Sequence, residues 1–84
     1  MRARQILERK AASLPPATRD AMLEAFDEAW TIVAPTSGSD PKTIEARQLK
    51  LAGCVAVVTA EDMTDAEQIR RMAIHILRII DQQS

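Results

Sequence analysis

Leu51-Ala52-Gly53-Cys54-Val55-Ala56-Val57-Val58-Thr59-Ala60 decides the fold class of this 84-residue chain. Read as a strand, Cys54–Thr59 is rich in β-branched residues. A lone strand needs a partner, however, and no second segment alternates at period two. Read as helix, the stretch continues a stripe that begins upstream, with Ile44, Gln48, Leu51, Val55 and Val58 along one side. The helical reading therefore prevails. Asp40-Pro41 opens the helix with a carboxylate cap and a proline at the first helical position. It runs over about 41–60 and is apolar all round from Leu51 onward, which predicts burial on every side at the centre of the fold.

Working outward, Ala34-Pro35-Thr36-Ser37-Gly38-Ser39-Asp40 is a loop of turn-forming residues. Before it, Met22, Phe26, Ala29 and Val33 fall on one stripe of a helix over 16–33, opened by Pro15-Pro16. Those prolines also end a short helix over about 3–13, striped by Ala3, Leu7, Ala11 and Leu14. After the central segment, Thr64-Asp65-Ala66-Glu67 fits a capping box for a helix over 65–81. At 100° per residue, Ile69, Met72, Ala73, Ile76, Leu77, Ile79 and Ile80 span an arc of about 160°. Ile74 falls outside it. So wide a stripe demands a second neighbour, either the first helix or another copy of the chain. The expected fold is an all-α bundle in one domain, with three main helices, a short N-terminal one and the third helix central.

Composition bounds the function. Apolar residues make up 46% and charged residues 27%, an ordinary globular balance. The net charge of −1 argues against a bulk polyanion binder. No apolar run approaches the roughly 20 residues of a membrane span. The N-terminus lacks the apolar core of a secretory signal; its arginines suit a transit peptide, but Glu8 interrupts them. A lone cysteine fits a reducing compartment, so the expected setting is cytoplasmic.

The chain lacks an obvious constellation of base, nucleophile and orienting group, and the expectation is a non-enzyme without cofactor. Cys54 sits in the apolar stretch, where burial makes a thiol inert. His75 lies about 120° from the centre of its helix stripe, at the boundary or surface. One Cys and one His cannot build a structural zinc site. Asp20, Glu24, Asp27 and Glu28 read as a solvated acidic face. Trp30 and Phe26, four apart, read as one aromatic core cluster, or else as the lining of a small-ligand pocket.

Charge is more informative than chemistry here. Arg2, Arg4, Arg9, Lys10 and Arg19 face only Glu8 over residues 1–19, whereas residues 20–40 hold five carboxylates and no cation. The basic first helix should lie against the acidic second one, or display Arg2, Arg4, Arg9 and Lys10 to another protein. Nucleic acid, met by those arginines with Arg70, Arg71 and Arg78, is the alternative, although the seven-residue loop is too long for a helix-turn-helix. Ala52, Gly53, Ala56 and Ala60, with Ile74 and Ile79, form the candidate self-contact surface. Small side chains let helices approach closely, and a homodimer is the expected assembly.

Phe26-Asp27-Glu28-Ala29-Trp30-Thr31-Ile32 followed by Ile44-Glu45-Ala46-Arg47-Gln48-Leu49-Lys50-Leu51-Ala52 resembles small uncharacterised helical proteins of alphaproteobacteria. The resemblance covers about residues 21–80 and leaves the basic first helix outside. It implies a bacterial cytoplasmic protein and carries no activity, cofactor or catalytic residue.

Overall fold

The computed structural model describes residues 2–83. It contains α1 (Arg2–Ala11), α2 (Pro16–Val33), α3 (Pro41–Val58) and α4 (Ala66–Gln83), with a single 3-10 turn over Ala34–Thr36. No strand occurs among the described residues, and Cys54–Val58 is helical. The chain is a small all-α bundle. The central position expected of the third helix holds: α3 packs against α1, α2 and α4, while α2 and α4 also pack on each other. The second neighbour that α4 needs is thus supplied by α2 and α3 rather than by α1.

Local chemistry sets the helix ends. Asp40 caps α3 as expected, its Oδ1 accepting from Lys42 N at 3.3 Å and its Oδ2 from Thr43 Oγ1 at 3.1 Å. The other end of α3 stops earlier than 60. Thr59 turns to an extended conformation (ψ 111°) while its hydroxyl donates back to Val55 O at 2.7 Å. The cap of α4 is displaced by one residue. Asp65, not Thr64, accepts from the Glu67 amide at 3.0 Å, which frees Glu67 to pair with Arg70 and Arg71. α1 ends at Ala11 because Ser13 bends the chain, its amide and hydroxyl both donating to Lys10 O. Gly38 takes the left-handed conformation (φ 77°) that reverses the loop into α3.

The core follows the stripes. Ala3, Leu7 and Ala11 of α1 are buried, as are Met22, Ala25, Phe26, Ala29 and Val33 of α2. Leu51, Ala52, Cys54, Val55 and Val58 of α3 meet Ile69, Ala73, Ile74 and Leu77 of α4 in the same cluster. Trp30 packs only at its edge, half-buried beside the sealed Phe26. One long-range polar tie closes the base: Thr18, buried in α2, donates its hydroxyl to Glu61 O at 2.9 Å and holds the α3–α4 connection in place.

Burial of α3 on every side is overturned. Val57 is 79% exposed, Gly53 and Ala56 are half-exposed and Ala60 is exposed. Three helices surround α3 on one side only, so its far flank has no cover within the chain. Nor is the total area excessive. The folded chain exposes 5184 Å², close to the roughly 5,000 Å² that surface scaling assigns to a monomer of this size.

Candidate interaction surfaces

At 100° per residue, Lys42, Ala46, Lys50, Gly53 and Val57 share the outward flank of α3. Every one of them is exposed or half-exposed. Gly53 is notable within that flank. A Cβ added there would meet nothing within 4 Å, so no packing within the chain asks for glycine in mid-helix.

The adjoining edge of α4 continues the surface. Glu28 of α2 pairs with Arg70 at 3.6 Å, which marks the α2 side of α4. Met72, Ile76 and Ile79, at i, i+4 and i+7, lie together on the side of α4 away from Arg70. Met72 and Ile79 are exposed and Ile76 is half-buried. Arg47 near the start of α3 bonds Asp81 near the end of α4, so the two helices run antiparallel. Val57 lies near the C-terminal end of α3 and Met72 in the first half of α4, the ends that antiparallel packing brings together. Val57, Met72 and Ile79 are three of the four large exposed hydrophobics among the described residues, one on α3 and two on α4.

The expected self-contact residues divide. Gly53, Ala56, Ala60 and Ile79 remain open to a partner. Ala52 does not: it is fully buried on the inner side of α3. Ile74 is also withdrawn, 92% covered on the α2 side of α4, because α2 supplies the neighbour its position outside the stripe required. Val57 was missed because an all-apolar segment hides which flank lacks cover. The signal was Lys50, seven residues earlier on the same flank and placed for solvent.

The basic first helix is engaged in part. Arg4 pairs with Asp27 of α2 at 3.6 Å, as the charge blocks suggest, but Arg2 reaches Glu45 of α3 at 3.7 Å. α1 rests chiefly on α3. Arg9 and Lys10 form no ion pair among the described residues. A second basic site lies on α4. Arg71, His75 and Arg78 flank a furrow of about 370 Å³ between α2 and α4, together with Ile32, Arg70 and Ile74. Arg70 and Arg71 both pair with Glu67, at 3.7 and 2.9 Å; His75 and Arg78 form no ion pair among the described residues.

The remaining chemistry is quiet. Burial, then the charge of Asp81, pushes the Cys54 thiol pKa up, keeping it protonated. No group of three or more His, Cys, Asp or Glu among the described residues could hold a metal ion. Phe26 is 2% exposed, so an aromatic ligand pocket would have Trp30 alone to offer. No helix among the described residues is long and apolar enough to cross a membrane. No protein-family model, curated protein or solved structure matches this chain.

Proposed function

We propose that this chain is a non-enzymatic protein–protein interaction module that self-associates as a homodimer through the outer α3–α4 face. The observation that carries the reading is Val57, 79% exposed near the C-terminal end of α3, with Met72 and Ile79 exposed on α4. Single exposed hydrophobics are ordinary, whereas contiguous ones mark contact surfaces. Glycine at position 53 supports the same reading, since it would let a facing helix come close. A cytoplasmic setting fits the single unbridged thiol.

Sedimentation equilibrium over a wide concentration range tests the reading. The expected mass is twice 9.3 kDa, returning to the monomer mass in Val57→Lys. A wild-type chain that stays at the monomer mass throughout would refute it.

A further inference from the structure

We infer that the furrow between α2 and α4 docks an acidic amphipathic helix of a partner protein. It opens toward α2, and its Arg71–His75 rim borders Met72 and Ile79 on the surface of α4.

The geometry sets the shape of the occupant. Glu28 lies opposite Arg70, and Ile32 and Ile74, each four residues further on, line the furrow together. The two helices therefore run parallel here. A furrow along a helix, with a parallel neighbour on its other side, suits a third helix. Ile32, 46% exposed, gives it an apolar floor beside Ile74, so the occupant needs an apolar side chain on its inner face. Arg71, His75 and Arg78, spaced by four and three residues, form a ridge about 10 Å long on α4.

Charge sets its chemistry. Arg78 has no carboxylate partner among the described residues, and guanidinium groups recognise carboxylates in a forked geometry that ammonium groups cannot reproduce. The complementary segment carries Asp or Glu one to two turns apart beside an apolar anchor. A continuous polyanion fits less well, because Glu28 and Glu67 sit on Arg70 and Arg71 at the other end of the furrow and would repel successive phosphates. On α1, Arg2 and Arg4 are paired within the chain and Arg9 and Lys10 have no exposed large hydrophobic beside them, whereas Arg78 on α4 stands beside the apolar Ile32 and Ile74.

The test uses the full chain and a fluorescein-labelled amphipathic peptide helix, leucine on one face and glutamate at i, i+4 and i+7 beside it. A twin peptide has lysine for each glutamate. Fluorescence anisotropy should show saturable binding of the first peptide, weakening as salt is raised. The twin should not bind. The doubly substituted Arg71→Glu/Arg78→Glu chain should lose at least about tenfold in affinity, the equivalent of one cation–carboxylate contact. Ile32→Glu should lose binding as well. All three positions are exposed, and thermal melts check that the variants fold. Equal binding of the two peptides, unchanged binding by folded variants, or no binding of the acidic peptide would overturn the inference. So would tighter binding of a single-stranded oligonucleotide of equal charge. Loss of wild-type self-association in the doubly substituted chain would overturn it too, by making a second copy the occupant. A monomeric wild-type chain that still binds the peptide refutes only the dimer.

Discussion

Arg47 and Asp81, 34 residues apart, meet through a 3.0 Å hydrogen bond from Nη1 to Oδ2 that locks the start of α3 to the end of α4. The same guanidinium donates from Nε to Ser37 Oγ at 2.9 Å, and Ser37 in turn donates to Val33 O at 3.0 Å. One side chain thereby ties α3, α4 and the loop leaving α2. Arg47 is only 19% exposed, so solvent screens the pair less than it does the surface pairs of α1. Arg47→Met should cost about 1–3 kcal/mol, since it leaves Asp81 and Ser37 without this donor in a partly desolvated place. Arg47→Lys should recover little, because an ammonium cannot serve both acceptors as a planar fork does. Urea titrations of the two variants check this; a wild-type midpoint for Arg47→Met would show the tie to be dispensable.

Val55 and Val57 are two residues apart and have opposite fates. Val55 is fully buried and Val57 is 79% exposed. Val55→Glu places an unpaired charge in the core and should prevent folding, since the cost rivals the stability of a small domain, about 5 kcal/mol or more. Val57→Glu should leave the melt within a few degrees of wild type while abolishing self-association. Ile76, half-buried at the edge, should show an intermediate loss with glutamate. Circular dichroism melts read all three, and equal melts for Val55→Glu and Val57→Glu would contradict the placement of α3.

The contrast shows what was legible in the sequence. Pro15-Pro16, Asp40-Pro41 and the polar run before α4 punctuate the chain strongly, so four helices and their core stripes could be read directly. Each start signal is a local matter of orphan amides and their acceptors. The displaced cap of α4 marks the limit of such reading, since Thr64 and Asp65 are both competent acceptors and only the path of the connection decides between them. The flank on which α3 lies bare was hidden, because periodicity locates an apolar stripe and a wholly apolar segment has none. The Arg47 tie and the α2–α4 furrow were invisible for another reason: their residues are distant in the chain and meet only through packing.

Gly53 should be improvable within the single chain. A methyl group there has open space, and alanine in mid-helix is favoured over glycine by about 0.5–1 kcal/mol. Gly53→Ala should therefore raise the melting temperature at low protein concentration by several degrees. Gly53→Leu should keep the fold but hold facing helices apart, shifting the dimer toward monomer. Calorimetry and sedimentation of the two variants separate these effects. A destabilised Gly53→Ala chain at monomeric dilution would mean that glycine serves the isolated fold.

Cys54 supplies a pH dependence with a definite sign. Burial raises its thiol pKa above the ordinary 9.0, and the Asp81 charge adds to the rise, outweighing the opposing pull of Lys50. Below the unfolded value both states hold the proton, and this group contributes no slope. Above it the unfolded chain releases its thiol proton while the folded chain retains it, so the unfolded state gains and stability falls as pH rises toward the folded pKa. Cys54→Ala should flatten that alkaline decline relative to wild type, even if the smaller side chain lowers stability overall. The same burial shields the sulfur from reagents: iodoacetamide should label Cys54 far more slowly in the native chain than in denaturant. Urea midpoints of wild type and Cys54→Ala between about pH 7 and pH 10, a range that brackets an ordinary thiol, with mass spectra of pulse-alkylated protein, read both effects. Parallel declines in the two chains, together with fast native labelling, would place the thiol outside the core.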